Sequence, residues 1–162
     1  MEIIEYTPAY ETAVKDLLVE LQTYLAQLDP DHIIIVSDRY RDDYFAYAMA
    51  AVEKHAGKIF LAVCDGRAVG AVICLIPPYG EESKLTTTCP KCGFISDLVV
   101  TAAMRGKSIG KTLLTRAETY FAQQHCAWMQ FSVYACNTSA LAFYERYGMQ
   151  KNYYTLKKKI IS

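Results

Sequence analysis

A basic turn that runs into an apolar-periodic helix is the first part of the sequence that could do chemistry. Residues 102–121 read AAMRGKSIGKTLLTRAETYF, with Gly-Lys-Ser at 106–108 and Gly-Lys-Thr at 110–112. Triplets of this kind end the phosphate-binding loop of nucleoside-triphosphate enzymes, whose full pattern is G-x-x-x-x-G-K-[ST]. The stretch therefore indicates a phosphate site, and the first question is which phosphate it would hold.

The triphosphate interpretation fails on the residue that must open that loop. Arg105 lies five residues before Gly110, and Thr101 lies five residues before Gly106, so neither triplet has its first glycine. A triphosphate enzyme also needs a strand that ends in an aspartate to hold magnesium. The next apolar run, residues 128–135, ends in none.

The pattern that does fit is Arg-x-x-small-x-Gly, formed by Arg105, Ser108 and Gly110. After a strand, such a turn directs successive backbone N–H groups and a helix N-terminus towards a pyrophosphate. Lys107 and Lys111 add positive charge. We call residues 105–111 the basic turn. The alternative is an ordinary strand-turn-helix connection with a basic, solvated cap.

The sequence around the basic turn resembles the GNAT superfamily of acyl-CoA-dependent N-acyltransferases. In that family a strand like Asp-Leu-Val-Val leads into an Arg/Gln-x-x-Gly-x-Gly/Ala turn and a helix. A further strand then precedes Asn-x-x-Ala-x-x-x-Tyr-Glu-x-x-Gly-Phe. The resemblance covers residues 94–150, with serine in place of the family's first glycine and methionine in place of its phenylalanine. The matching positions of the second motif are Asn137, Ala140, Tyr144, Glu145, Gly148 and Met149.

The resemblance implies acetyl-CoA as co-substrate, with its pyrophosphate on the basic turn. It also implies a splayed sheet, in which the pantetheine arm pairs like an added strand with the backbone of the 94–100 strand. A β-bulge in that strand would free an N–H group to stabilise the oxyanion. The expected cofactor contacts are Leu98, Val99, Val100, Arg105, Gly106, Lys107, Ser108, Ile109, Gly110, Lys111 and Asn137.

Acyl transfer to an amine needs a neutral amine and a protonated leaving thiolate. Tyr144 matches the family's general acid, whereas simple packing is its alternative role. Asp97 is the first candidate for the general base, and a structural hydrogen bond is its alternative. Glu81 and Glu82 are weaker candidates. The three histidines lie outside any motif and receive no role.

The cysteines predict no metal site. CPKCG at 89–93 supplies two thiolate ligands, but a closed structural zinc site needs four and no second pair exists. Cys64 and Cys74 lie inside apolar strand-like runs, which is typical of reduced core cysteines. We expect no bound metal and a reducing, cytoplasmic setting.

The elements that would position these residues form one α/β domain over residues 1–162. The sheet is expected to be mixed and mostly antiparallel, with a splayed central strand pair and about four flanking helices. Asp65-Gly66 predicts a tight hairpin between two β-rich runs. The expected strands are 2–6, 58–64, 67–76, 94–100, 128–135 and 153–160, and the expected helices are 10–28, 42–56, 109–121 and 138–147.

The amino-acid composition of the chain limits the classes of partner that it is expected to bind. Seventeen basic residues balance seventeen acidic ones, which argues against a nucleic-acid partner. No apolar run is long enough for a membrane span, and the first residues do not resemble a signal peptide. The expected substrate is a small-molecule or peptide amine, selected in this family by residues 24–52 and 77–93. A homodimer is left open, and a non-catalytic acyl-CoA-binding module is the alternative function.

Overall fold

The structure is a computed structural model, and it describes residues 1–160. Its backbone contacts divide the chain into two compact units, Met1–Ser132 and Val133–Ser162. The first unit contains a five-stranded sheet and four α-helices, and the second contains one α-helix. The expectation that residues 1–162 act as a single domain stays a prediction. None of the described helices is both long enough and apolar enough to span a membrane.

The element bounds agree with most of the sequence-based expectations. The strands are β1 (Glu2–Glu5), β2 (Lys58–Cys64), β3 (Arg67–Leu75), β4 (Cys92–Val100) and β5 (Trp128–Gln130). The α-helices are α1 (Glu11–Leu28), α2 (Tyr40–Lys54), α3 (Glu81–Thr86), α4 (Ile109–Gln123) and α5 (Thr138–Tyr147). Short 3₁₀ turns occupy Pro8–Tyr10 and Ala102–Met104.

The sheet has the strand order β1-β2-β3-β4-β5. Each neighbouring pair from β1 to β4 is antiparallel, and β5 is parallel to β4. The parallel pairing joins only Cys92–Phe94 to Trp128–Gln130. Beyond Phe94, β4 continues to Val100 without β5 beside it. This is the mixed, mostly antiparallel sheet with a splayed strand pair that the sequence predicted.

The β2–β3 hairpin has the turn that its sequence predicts. Asp65 and Gly66 both have positive φ, at 49° and 75°, which matches the two-residue turn that suits the right-handed twist of a hairpin. The strands on either side bury most of their residues, and the less buried positions lie at their ends. A continuous apolar run fits a strand that is covered on both faces.

Alternating strand residues divide between two apolar layers. Ile59, Leu61 and Val63 of β2 join the core that includes residues of α1 and α2. Phe60 lies between them in sequence and contacts Tyr120 of α4, with ring centroids 5.9 Å apart. Because successive strand side chains point to opposite faces, α1 and α2 cover one face of the sheet and α4 covers the other.

A close approach fixes α4 against the start of β4. A Cβ atom added to Gly93 would lie 2.3 Å from the ring of Phe121, so only glycine fits at this position. The backbone of β4 at Gly93 therefore contacts the ring of Phe121 in α4. This contact would be lost if α4 shifted along the strand. This contact helps to fix the position of the helix that follows the basic turn.

The described residues contain one short α-helix, α3, beyond the four helix ranges expected from the sequence. Two expectations about the elements were wrong. The predicted strand 128–135 is shortened to the three residues of β5. Residues 153–160 form no strand and are exposed, with Leu156 and Ile160 each more than nine-tenths accessible. A strand needs a buried face or a paired neighbour, and this lysine-rich segment has no buried face.

Candidate active site

A β-bulge interrupts β4 at the residue before Asp97. Ile73 of β3 pairs with Asp97, whereas the next residue, Cys74, pairs with Ile95. Ser96 is therefore the extra residue on the bulged strand. The bulge expected in this strand is present. A bulge leaves one residue out of the ladder and re-aims its neighbours, which makes it a frequent feature of active sites.

Asp97 is a buried carboxyl group held by two hydroxyl groups. Asp97 is only 7% exposed. The Tyr44 hydroxyl lies 3.0 Å from Oδ1 and 3.2 Å from Oδ2, and Ser96 Oγ donates to Oδ2 at 2.6 Å. Both donors are neutral, and no ion pair to Asp97 occurs among residues 1–160. The carboxyl group therefore lacks a cationic partner in the described structure.

Burial without a cation raises the pKa of Asp97 above the ordinary aspartate value. The hydrogen bonds from Ser96 and Tyr44 stabilise the ionised form and lower the pKa, but they only partly offset the effect of burial. Asp97 thus binds a proton more strongly than a surface aspartate does. A carboxylate of raised pKa is a stronger base, which is the property that proton abstraction from an amine requires.

The partner of Asp97 belongs to a row of tyrosines on α2. Tyr40 and Tyr44 stack with centroids 4.8 Å apart and an interplanar angle of 12°, and the Tyr47 ring lies 6.1 Å from that of Tyr44. Burial and the negative charge of Asp97 raise the pKa of both Tyr40 and Tyr44. Their hydroxyl groups therefore remain protonated at neutral pH. These tyrosines lie within residues 24–52, one of the two ranges expected to select the acceptor, and the i, i+4 spacing of Tyr40 and Tyr44 was the available signal.

The basic turn adopts the left-handed conformation that a converging set of N–H groups needs. Gly106 has φ 78°, and Ser108, at the helix cap, has φ 61° and ψ 8°. The hydrogen bond of Thr112 N–H to the Ser108 carbonyl closes the first turn of α4. The N–H groups of Ile109, Gly110 and Lys111 precede it and have no acceptor within the helix. A helix start of this form favours an anion.

Arg105 braces the basic turn instead of extending from it. Its Nε donates to the Val100 carbonyl at 3.0 Å, and its guanidinium lies 4.7 Å from the ring centroid of Tyr24. Glu20 of α1 completes the brace. One of its carboxylate oxygens accepts the N–H of Ala102 at 2.7 Å and lies 3.8 Å from the Arg105 guanidinium. The turn is thus attached to α1, a connection that motif reasoning did not reveal.

The predicted pantetheine contacts lie on the second half of β4. Leu98, Val99 and Val100 pair with β3 on one side and have no β5 residue opposite them on the other. The β3 partner of Val100 is Gly70, where an added Cβ would lie 2.9 Å from the Val99 carbonyl oxygen. The strand is therefore tightly packed on its β3 side, while the splay leaves its other edge without β5.

Asn137 and Tyr144 belong to the second unit. Asn137 is buried and caps α5, because its Oδ1 accepts the N–H of Ala140 at 3.3 Å and the hydroxyl of Ser139 at 3.2 Å. Tyr144 lies further along the same helix, and burial raises its pKa to about 12. Its hydroxyl is therefore protonated throughout the neutral range. Gly148 ends α5 with φ 102°, as the sequence predicted.

The weaker candidates lie around α3. Glu81 and Glu82 are exposed in its first turn, and Glu81 forms an ion pair with Lys84. Cys89 and Cys92 line a cavity of about 330 Å³ together with Tyr79. Within residues 1–160 no three histidine, cysteine, aspartate or glutamate residues come together in a group that could hold a metal. The roles assigned to the site residues from the sequence all stay predictions.

A match to a family model shows which protein family the chain belongs to. Residues 18–149 match the model of the acetyltransferase (GNAT) family. The chain belongs to the GNAT acetyltransferase family. The matched range contains the tyrosine row of α2, the bulged strand, the basic turn and the Asn137 cap, so the site described above lies within the part of the chain that carries the family pattern.

Two curated relatives of this GNAT chain are N-acetyltransferases of Arabidopsis thaliana. The N-alpha-acetyltransferase MAK3 is 30% identical over 89 residues, which are 55% of this chain and 43% of that protein. Glucosamine 6-phosphate N-acetyltransferase is 32% identical over 79 residues, which are 48% of this chain and 50% of that protein. The matched segments thus span about half the length of these relatives.

Solved structures show the same fold at lower identity. A mutant of the BH1408 protein from Bacillus halodurans has a TM-score of 0.87 and 21% identity, covering 99% of this chain and 100% of the other. Aminoglycoside N-acetyltransferase AAC(6')-Iy in complex with CoA has a TM-score of 0.71 and 14% identity, with 99% and 100% coverage. Glucosamine-6-phosphate N-acetyltransferase from Arabidopsis thaliana has a TM-score of 0.69 and 18% identity, with 99% and 98% coverage.

Proposed function

We propose that this GNAT protein is an N-acetyltransferase that transfers the acetyl group of acetyl-CoA directly to a primary amine in a ternary complex. The observation that carries the proposal is the continuity of β4 with the basic turn. Beyond Phe94 the strand has an edge without β5, and six residues after Val100, at Gly106, the chain enters a left-handed turn that leads into α4. The pantetheine arm of acetyl-CoA is extended and carries amides, so it matches the edge of β4 that has no β5 beside it. The pyrophosphate, which follows the arm, matches the start of α4.

Each part of acetyl-CoA has a counterpart among the residues. The pantetheine amides pair with the backbone of Leu98, Val99 and Val100, and the amide group of Asn137 donates to the same arm. The pyrophosphate accepts the N–H groups of the basic turn, with Lys107 and Lys111 supplying charge. Arg105 contributes by bracing the turn, since its side chain is already bonded to Val100.

The reaction requires two proton transfers. Asp97 takes the proton that the acceptor amine must lose before its nitrogen attacks the thioester carbonyl. A backbone N–H freed at the bulge stabilises the oxyanion that forms. As the carbon–sulfur bond breaks, the Tyr144 hydroxyl donates a proton to the departing thiolate. The raised pKa values of both groups support these assignments, because Asp97 is a stronger base and Tyr144 is kept protonated.

The acceptor belongs to the class of primary amines that are cationic at neutral pH. The names of the relatives refer to α-amino groups, glucosamine 6-phosphate and aminoglycosides, all of which offer such an amine. Tyr40, Tyr44 and Tyr47 form an aromatic row beside the buried carboxyl of Asp97, and this combination suits a cation. The proposal that residues 1–162 form one domain is supported by the family match, because its range, residues 18–149, includes parts of both units.

Two measurements test the proposal. The first is release of free thiol from acetyl-CoA with three probes: a peptide with a free N-terminus, glucosamine 6-phosphate and an aminoglycoside. Turnover with any of them supports the proposal. CoA binding without turnover would favour an acyl-CoA-binding module. The second is titration calorimetry with CoA and with a pantetheine fragment that lacks the pyrophosphate. Equal affinity for the two would contradict the assignment of the basic turn.

A further inference from the structure

The bulge in β4 places an exposed hydroxyl beside a buried carboxyl. Ser96 is exposed, whereas Asp97 is 7% exposed. Ser96 Oγ lies 2.6 Å from Oδ2 of Asp97, a distance typical of a hydroxyl that donates to a carboxylate. The Asp97 carboxyl group is therefore poorly accessible to an acceptor amine. The Ser96 hydroxyl is accessible to the amine and is also hydrogen-bonded to that carboxyl group.

We propose that the Ser96 hydroxyl relays the proton of the acceptor amine to Asp97. This inference rests on the proposed N-acetyltransferase function and adds a residue to it that neither the motif nor the family match assigns. Ser96 is then the group that touches the substrate nitrogen, and Asp97 is the proton acceptor behind it.

Ser96 Oγ takes a proton from the acceptor ammonium group while its own hydroxyl proton passes to Asp97 Oδ2, so the serine is unchanged and the aspartate becomes neutral. The nitrogen lone pair then forms a bond to the thioester carbon. The carbon–sulfur bond breaks, the new amide nitrogen loses its second proton, and the thiolate gains one. The proton on Asp97 returns to solvent, so one ammonium and one acetyl-CoA give one amide, one free CoA thiol and one proton.

Tyr44 fits this scheme as a positioning residue. Its hydroxyl contacts both oxygens of Asp97, at 3.0 Å and 3.2 Å, and so keeps the carboxylate plane fixed relative to Ser96. Because burial and the charge of Asp97 keep the tyrosine protonated, it acts as a donor only. The oxygen that receives the relayed proton is the one on which Ser96 donates, Oδ2.

The decisive experiment compares Ser96→Ala with Ser96→Thr on the probe amine that the wild-type protein acetylates fastest. Proton transfer by a positioned group contributes about 10²–10⁴-fold. Ser96→Ala is expected to lower kcat by about 10²-fold or more with unchanged CoA affinity, and Ser96→Thr, which keeps a hydroxyl, is expected to recover most of that loss. Equal kcat for Ser96→Ala and wild type would overturn the relay while leaving the N-acetyltransferase function intact. Absence of wild-type turnover with all three probes would reject both.

A double variant separates the relay from two independent effects. Residues that act as a unit give losses that do not multiply. The combination Ser96→Ala with Asp97→Asn should therefore be no slower than Asp97→Asn alone, and a multiplied loss would contradict the relay. A readout without turnover is the titration of the Asp97 carboxyl carbon by NMR. Removing the Ser96 hydroxyl should move its midpoint to higher pH, and an unmoved midpoint would show that the hydrogen bond is absent in solution.

Discussion

The hydroxyl group of Tyr44 contacts both carboxylate oxygens of Asp97, at 3.0 Å and 3.2 Å, although the two residues are 53 positions apart in sequence. The contact joins the second turn of α2 to the residue that follows the β4 bulge. A residue of α2 thereby lowers the pKa of the carboxyl group proposed to take the proton.

Removing the Tyr44 hydroxyl should shift the pH dependence of catalysis. The tyrosine lowers the pKa of Asp97, so Tyr44→Phe raises that pKa further. A base must be ionised to act, and the acidic limb of kcat/KM should therefore move to higher pH than in the wild-type protein. Loss of a hydrogen bond to a charged group should also cost about 1.5–3 kcal/mol of stability. Tyr47→Phe is the matched control, since Tyr47 is 70% exposed. An unshifted acidic limb in Tyr44→Phe would contradict the role of Asp97.

Replacing Asp97 by Asn should separate activity from stability. A carboxyl whose pKa is raised by folding binds more protons in the folded state, so its ionised form destabilises the fold and stability falls as pH rises through that pKa. Asp97→Asn stays neutral and should lower kcat by about 10²–10⁴-fold, while its melting temperature at pH 8 is unchanged or higher. Thermal melts at pH 5 and pH 8 check this. A large loss of stability at pH 8 would identify Asp97 as a structural hydrogen-bonder.

Glycine at position 108 should suit the basic turn better than the native serine. Ser108 has φ 61°, a region that costs about 1–2 kcal/mol for a residue with a Cβ atom, and glycine loses about half of that gain through backbone entropy. Ser108→Gly should thus raise the melting temperature by about 2–4 °C. CoA affinity should be kept or improved. Ser108→Ala keeps the strain and serves as control, and equal melting temperatures of the two variants would disprove the strain.

The Tyr144 hydroxyl should matter for turnover and not for folding. Tyr144→Phe keeps the ring and removes the proposed acid, so kcat should fall by about 10²–10⁴-fold. Melting temperature and CoA affinity should change little. Since burial raises the tyrosine pKa to about 12, its ionisation should not limit the rate below about pH 11. Unchanged kcat with a loss of about 1 kcal/mol of stability would instead indicate a packing role.

A chelator should leave the thermal unfolding of the protein unchanged. Burial, together with the nearby Cys126, raises the pKa of the Cys92 thiol, and a protonated thiol is a poor metal ligand. Cys89 and Cys92 alone also supply too few ligands for a closed zinc site. Melts with and without chelator should superimpose. A large drop, with about one equivalent of metal recovered per chain, would show that these cysteines hold a structural metal.

Local signals in the sequence were sufficient for most of the fold. Asp65-Gly66 specified a hairpin because a two-residue turn with positive φ needs such residues. Asn137 and Gly148 marked both ends of α5 for similar reasons. The segment 153–160 misled because its tyrosines and isoleucine have high strand propensity, whereas pairing and burial depend on the rest of the protein.

The site was less accessible to sequence reasoning because its key contacts are non-local. Asp97 could be proposed as a base from its strand alone. Its bonds to Tyr44 and Ser96 depend on how α2 packs on the sheet and on where the bulge falls. Similarly, Arg105 matched the family motif, but its side chain turns to Val100 and Tyr24. A motif shows which residue types are present at a given spacing. It does not show which neighbours their side chains contact.

The attachment of the basic turn to α1 has a consequence for the order of folding. The hydrogen bond from Ala102 N–H to Glu20 spans 82 positions, so the turn cannot reach its final shape until the first helix has docked on the sheet. Contacts of such long range form slowly, because closing the intervening chain costs entropy before the contact contributes. The basic turn should therefore be among the late segments to gain protection from hydrogen exchange during refolding. Under the proposed function, the ability to bind phosphate would then appear only after α1 has docked on the sheet.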